Sequence, residues 1–312
     1  MDEKARQIFE KLEGADSIVI FGHKNPDGDC VGSILGMKHA LLDNFPSKKV
    51  YAVGTHPEYL GTSIEASDEV SDEVIKNSLS LLVDLSDLPR VEDQRISLAK
   101  EIVCFDHHVA DKEAEFLVYR DEKAPSCTYI LAKLLLERYG SISKIAAKYL
   151  YLGLTTDTGR YQFDSEPSTL RMGATLVECG VDYKSLYNEL YRQNSADLIY
   201  RAYVYQHFKF SGRVTYCVMR KEEYQALGMN ASQAGGRVNL LSLIDDHPIW
   251  AFFTEQDDST FRGELRSNGH YDVQKVAKKF RGGGHVPAAG CTLKSIDEIT
   301  ALLKELNGVE AI

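Results

Sequence analysis

Apolar runs alternate with helical spacings through the first half of the chain. Ile8, Phe9 and Leu12 fall on one face of a short first helix. Ser17-Ile-Val-Ile-Phe21 is a continuous apolar run, the pattern of a buried strand. Ile34, Leu35, Lys38, Leu41 and Leu42 then recur at helical spacing, which predicts a helix over 31–45. Further strands are expected over 49–53, 79–84 and 101–105, and helices over 126–139, 143–154 and 166–179. The last of these is started by Glu-Pro and closed by Gly180. Strands alternating with helices predict a mostly parallel sheet covered on both faces.

The second half has another texture. Residues 187–210 read as one long helix rich in Tyr and Arg, whose aromatics are assigned to packing. Strands follow over 213–219, 249–254 and 260–266, then a helix over 273–280. A glycine loop, Arg281-Gly-Gly-Gly-His285, a short strand and a helix over 296–306 complete the chain. The fold class is therefore α/β. A parallel-sheet domain over 1–188 is followed by a helical connector over 189–210 and a smaller α+β domain over 211–312. A chain of 312 residues is long for a single core, which agrees with two domains.

Composition narrows the functional classes. A formal net charge of −10 argues against non-specific binding of long duplex nucleic acid, which needs many cationic side chains on phosphates. It leaves room for a small phosphorylated substrate whose charge is met by bound cations. The six cysteines are scattered without a C-x-x-C pair and read as buried free thiols of a reducing compartment. The charged start lacks the apolar core of a signal peptide, and no apolar run spans a bilayer. A cytoplasmic protein is expected.

Candidate chemistry begins at His23-Lys-Asn-Pro-Asp27-Gly-Asp29, between the first strand and the next helix. A turn at the carboxyl end of a parallel strand is where open α/β sheets place their sites. As a plain turn it would use Asp29 as the helix N-cap. Three more places repeat the signal. Asp84 ends a strand, Asp106-His107-His108 ends the next, and Asp157 sits in a polar turn after an apolar helix. Any one of these alone is commonly a cap or a solvated residue. Four in one sheet domain point to a shared site. His23, Asp27, Asp29, Asp84, His107 and Asp157 can supply two cations roughly 3.5–4 Å apart with one bridging carboxylate, an arrangement suited to phosphoryl hydrolysis. No Ser, Cys or Lys nucleophile is then required.

The motifs H-x-N-P-D-G-D-x-x-G-S, strand-end Asp, D-H-H and T-D-T-G, in this order, resemble the DHH superfamily of phosphoesterases. The later R-S and G-G-G-H-x-x-A-A-G resemble the family's associated domain, so the likeness spans almost the whole chain. The resemblance implies one cation, most simply Mn²⁺, held by His23, Asp27 and Asp84. A second would be held by Asp29, Asp84, His107 and Asp157, with Asp84 bridging. Asp106 would orient an imidazole, and His108 would face the scissile phosphate and protonate the leaving oxygen. In the second domain Arg266, Ser267, Gly282, Gly283, Gly284 and His285 would bind substrate, with the site in the cleft between domains. Two stretches depart from the family pattern, 233–239 and Ser126-Cys127-Thr128.

The implied substrates are very short oligoribonucleotides, releasing nucleoside 5′-monophosphates, and 3′-phosphoadenosine 5′-phosphate, releasing AMP. A rival is a phosphodiesterase for cyclic or linear dinucleotides of the cyclic di-AMP type. A rival of another class is a non-catalytic nucleotide-binding regulator, which the intact ligand positions disfavour. A homodimer stays open.

Overall fold

The computed structural model describes residues 1–312 apart from positions 62, 111 and 243. It divides into two compact units, Met1–Arg192 and Gln193–Ile312. The first contains α1 (Glu3–Gly14), β1 (Ser17–Phe21), α2 (Gly28–Asn44), β2 (Lys49–Ala52), α3 (Asp72–Lys76), β3 (Leu79–Val83), β4 (Ile102–Asp106), β5 (Leu117–Arg120), α4 (Cys127–Tyr139), α5 (Lys144–Asp157), α6 (Pro167–Glu178) and α7 (Tyr183–Leu190). Its five strands are all parallel, in the order β2-β1-β3-β4-β5. After β2 the chain crosses to the other side of β1, so β1 and β3 form the switch point outside which such sheets bind ligands.

Alternation along β1 shows how the sheet is buried. Ile18 and Ile20 pack with Phe9, Val31, Leu35 and Leu131 under the long helices. Val19 and Phe21 pack on the opposite face with Ile75, Val91 and Ile96. That second face is covered by the short α3 and by single turns over 88–98, a thinner layer than the sequence pattern implied. Strand β5 was not among the expected strands although Phe116-Leu-Val-Tyr119 is an apolar run; at the sheet edge all four of its residues are only half-buried.

The second unit contains α8 (Ser195–His207), β6 (Lys209–Ser211), β7 (Val214–Met219), α9 (Lys221–Ala226), α10 (Ala231–Gly235), β8 (Ile249–Glu255), β9 (Phe261–Ser267), α11 (Val273–Lys279), β10 (Gly283–His285), β11 (Ala288–Leu293) and α12 (Ile296–Asn307). Its sheet runs β10-β11-β9-β8-β7-β6, antiparallel except for the β7–β8 pair. One face packs Ile249, Phe253 and Leu265 against Val276, Leu302 and Leu306 of α11 and α12. On the other face Trp250 and Phe252 pack against Tyr200, Tyr224 and Ala234 of α8, α9 and α10.

Four expectations are corrected. The single helix over 187–210 is two helices, because the Asn194 side chain accepts the Asp197 N–H while Asp197 accepts the Asn194 N–H. This capping box starts a new helix and ends the old one. The connector expected over 189–210 is therefore split, with α8 inside the second unit. Helix α2 begins at Gly28 rather than residue 31, and its N-cap is Asp27, not Asp29. The glycine loop is partly a strand, with Gly283 and His285 paired to Gly290 and Ala288.

Candidate metal centre and phosphate-binding face

The residues just past β1, β3 and β4 converge. His23 Nδ1 bonds the Lys24 carbonyl at 2.9 Å. Its Nε2 lies 3.3 Å from Asp84 Oδ2 and 3.8 Å from Asp27 Oδ1. His107 is held in the same way, with Nδ1 on the Ala124 carbonyl at 3.2 Å. Its Nε2 lies 3.4 Å from Asp84 Oδ1, 3.5 Å from Asp157 Oδ2 and 3.8 Å from Asp29 Oδ2. A carbonyl on Nδ1 fixes the tautomer whose Nε2 lone pair can take a metal.

Asp84 is the centre of this arrangement. It follows β3 with φ of +64°, a conformation rare for a residue with a Cβ, which is held at functional turns against strain. Its residue is 1% exposed and its Oδ1 has no hydrogen-bond partner. A buried carboxylate oxygen with no hydrogen bond, the His107 ring lying 3.4 Å away, is costly, and a cation would satisfy it. Two imidazoles and several carboxylates form a donor set suited to borderline divalent metals. The residues therefore fit the cations that the motifs imply.

Each remaining carboxylate has a distinct setting. Asp27 accepts the N–H groups of Asp29 and Cys30, both at 3.0 Å. Asp29 is fully buried and reaches across to the start of α4. There it accepts the Cys127 N–H at 2.6 Å, the Thr128 N–H at 2.9 Å and the Thr128 hydroxyl. The Ser126-Cys127-Thr128 departure from the family pattern is thus the stretch that orients Asp29. Gly153 of α5 makes room for this contact, since a Cβ there would lie 2.7 Å from Asp29 Oδ1. Asp157 ends α5, so its negative charge opposes the helix dipole. Asp157 was read as a turn residue; it is the last helical one.

Charge crowding shows in the titration of these groups. Burial, then the neighbouring Asp84, pushes Asp29 up to about 7. Burial, then Asp29 and Asp27, pushes Asp157 well above the carboxylate range. Burial alone would lower His107, but Asp84, Asp29 and Asp157 raise it to about 10. Burial would likewise lower His23, yet Asp27 and Asp84 raise it. Burial would raise Asp84, but His107 and His23 hold it well below its ordinary value. Without a cation, protons on the imidazoles supply the positive charge the carboxylates need. Metal binding releases such protons.

Asp106 and His108 form an adjacent pair. Asp106 Oδ1 accepts from the His108 backbone N–H and lies 3.0 Å from His108 Nδ1. Asp106 Oδ2 accepts from the Ser86 hydroxyl at 2.7 Å. Burial would raise this carboxyl, but the His108 bonds hold it low. The pair sits beside the centre, with His108 Nδ1 3.7 Å from Asp84 Oδ1. One neighbour was not singled out from sequence. Cys30, read as an inert core thiol, has its Sγ in a buried trio with donors of His23 and Asp84, all within 4.8 Å of one another. Its place one residue after Asp29 was the available signal.

In the second unit the strand register aligns Arg266 of β9 with Ala288 of β11, and Ala288 with His285 of β10. Directly opposed residues share a sheet face, so Arg266 and His285 face the same way across a small alanine. Gly283 and Gly290 form the next pair on that face. Arg266 is half-buried, its Nη1 donating to the Leu265 carbonyl at 3.0 Å. Burial lowers its pKa and Glu264 opposes this. Ser267 points to the opposite face, as alternation requires. Its hydroxyl donates to the Tyr271 carbonyl at 2.7 Å. Gly282 packs closely on β11, where a Cβ would lie 2.1 Å from the Gly290 carbonyl oxygen. Gly284 has φ of +134° and accepts from the Gln274 side chain through its carbonyl.

A parallel sheet with His and Asp side chains gathered at its switch point, followed by a mixed-sheet unit, is the build of a metal-dependent phosphoesterase. Residues 17–154 match the DHH family, N-terminal domain, and residues 212–310 match the DHHA1 domain. The chain belongs to the DHH family of phosphoesterases. It is 33% identical over 306 residues to the bifunctional oligoribonuclease and PAP phosphatase NrnA of Mycoplasma genitalium, covering 96% of this chain and 95% of that protein. It is 30% identical over 305 residues to the protein of the same description from Bacillus subtilis, covering 96% of each. Among solved structures, an exopolyphosphatase-related protein from Bacteroides fragilis superposes with a TM-score of 0.87 at 23% identity, over 98% of this chain and 95% of that one. This last likeness is one of fold.

Proposed function

We propose that this protein hydrolyses very short oligoribonucleotides to nucleoside 5′-monophosphates and 3′-phosphoadenosine 5′-phosphate to AMP, with two divalent cations, most simply Mn²⁺. The observation that carries the reading is Asp84, a buried carboxylate flanked by the Nε2 atoms of His23 and His107 at 3.3 and 3.4 Å. The naming of full-length relatives as oligoribonuclease and PAP phosphatase supports the substrate class. Bound cations would supply a water-derived nucleophile at neutral pH and neutralise charge on the phosphoryl oxygens.

The chain's own residues divide the remaining work. His23, Asp27 and Asp84 hold one cation; Asp29, Asp84, His107 and Asp157 hold the other. Asp106 fixes His108 through Nδ1, so His108 Nε2 is the atom that protonates the leaving 3′-oxygen. Arg266 and His285 grip a non-reacting phosphate, for which guanidinium offers a two-pronged donor. Ala288 between them, and Gly283 and Gly290 in the next row, leave the sheet face open to a phosphate. The protein acts in the cytoplasm, where its six free cysteines stay reduced.

The test is a panel of oligoribonucleotides of increasing length, 3′-phosphoadenosine 5′-phosphate and cyclic di-AMP, assayed with Mn²⁺. Turnover of dinucleotides and of the bisphosphate is expected. Preference for cyclic di-AMP would replace this reading with the phosphodiesterase, and hydrolysis of nothing in the panel would leave a nucleotide-binding regulator.

A further inference from the structure

Three buried thiols lie near the metal centre, and two have an ordinary use. Cys104 Sγ donates to the Leu85 carbonyl at 3.1 Å, and Cys127 Sγ to the Phe105 carbonyl at 3.4 Å. Cys30 is placed differently. It is the third residue of α2, and its backbone N–H is tied to Asp27 Oδ1. Its Sγ sits against the backbone just before His23, where a Cβ on Gly22 would lie 2.3 Å from the sulfur. Only a glycine at 22 lets the thiol come so near. Sγ then joins a His23 ring nitrogen and an Asp84 carboxylate oxygen, each within 4.8 Å of the others, in a fully buried trio. Asp84 faces this trio through Oδ2, 3.3 Å from His23 Nε2, while its Oδ1 faces His107, so the one buried carboxylate serves both positions.

We propose that Cys30 is a thiolate ligand of the cation held by His23 and Asp84, so that the two cation positions differ in softness. The inference rests on the metal reading of the site. On binding, an S–metal bond forms and the thiol proton passes to solvent, as for any coordinating cysteine. The His23–Cys30–Asp84 position offers nitrogen, sulfur and oxygen, which suits Zn²⁺ or Co²⁺ better than Mn²⁺. The other position, with Asp29, His107 and Asp157, offers only nitrogen and oxygen and keeps its preference for harder cations. The protein thereby distinguishes its two cations and holds a mixed pair more tightly than two alike.

Cobalt and zinc report on this directly. The purified chain is stripped with a chelator and reloaded with Co²⁺. A thiolate-to-cobalt charge-transfer band in the near ultraviolet is expected, present in Cys179→Ala and absent in Cys30→Ala. X-ray absorption of the zinc-loaded wild-type protein should show a sulfur neighbour at about 2.3 Å. This measurement needs no variant, so a folding defect in Cys30→Ala leaves it decisive. Zn²⁺ affinity should fall by about tenfold or more in Cys30→Ala, the scale on which even outer partners of a metal act, while Mn²⁺ affinity holds. Cation binding with only nitrogen and oxygen neighbours overturns the role of Cys30 and leaves the metal reading standing. Failure of the wild-type protein to bind any divalent cation overturns both.

Discussion

Asp29 and Asp157 look alike as ligand candidates, yet their surroundings predict opposite effects on the metal-free protein. Asp29 satisfies three donors at the start of α4: the Cys127 N–H, the Thr128 N–H and the Thr128 hydroxyl. All of this is buried, and α4 is 13 residues long. Asp29→Ala removes the carboxylate these groups share. Ser126 stays as the N-cap of α4, so the cost is that of orphaned buried donors, about 1–3 kcal/mol each. Water entering the vacated space and relief of the repulsion with Asp84 and Asp27 offset part of that, so a loss of about 1–2 kcal/mol is expected. Asp157 is the reverse case. It ends α5 against the helix dipole, and burial with Asp29 and Asp27 pushes it toward the neutral form. Asp157→Asn removes an opposed charge, so the metal-free protein should be unchanged or more stable by up to about 1 kcal/mol. Both variants should lose Mn²⁺ affinity. The assay is urea unfolding of chelator-treated protein at pH 8, followed by signals from each unit because two units need not unfold together. If Asp29→Ala unfolds at the wild-type midpoint, Asp29 does not support α4 and the argument fails.

Other outcomes follow from the same geometry. Asp84→Asn should weaken both cation sites and nearly abolish turnover, whereas Asp27→Asn should weaken chiefly one; calorimetric titration with Mn²⁺ and full activity of Asp84→Asn at saturating metal would refute the shared role. Arg266→Ala should raise KM more than it lowers kcat, by about 1.5–3 kcal/mol in kcat/KM for a lost charged hydrogen bond, while binding Mn²⁺ normally and still cleaving bis-p-nitrophenyl phosphate; loss of the generic ester too would place Arg266 with the chemistry. Because His107 is raised from 6.5 to about 10, its protonation stabilises the metal-free fold fully below pH 6.5, and that contribution is lost as pH rises toward 10. The metal-free protein should therefore lose on the order of a few kcal/mol across that window while the Mn²⁺-loaded protein loses less, and parallel melting curves for the two forms would contradict it.

The fold was legible where burial leaves a pattern. Ser17–Phe21 and Leu79–Val83 are continuous apolar runs because parallel strands are buried on both faces. Phe116–Tyr119 is also an apolar run, yet it leads into an edge strand whose residues are all half-buried, and it was not among the expected strands. The helix break at 191–194 was written in Asn194-x-x-Asp197, but the Tyr-rich apolar spacing on either side hid it. A capping signal was outweighed by a periodic one, and the backbone hydrogen bonds show that the cap prevailed.

The site was legible for a related reason. His23, Asp84 and His107 lie just after buried strands, where a polar residue has only a turn in which to act, while Asp27, Asp29 and Asp157 stand at helix ends beside them. What sequence could not supply is the second use of each side chain. Asp27 was expected as a ligand and also caps α2; Asp29 was expected as a ligand and also accepts the first N–H groups of α4. Those roles depend on which elements meet in space, and 98 residues separate Asp29 from Cys127. The same is true of Arg266 and His285, which a local reading treats as a strand end and a loop. Antiparallel register puts them in one row, with Ser267 turned away. The spacing that announced the candidate metal ligands could not show which of two neighbours, Arg266 or Ser267, shares a sheet face with His285, because that choice is fixed by pairing with β11 rather than by the residues themselves.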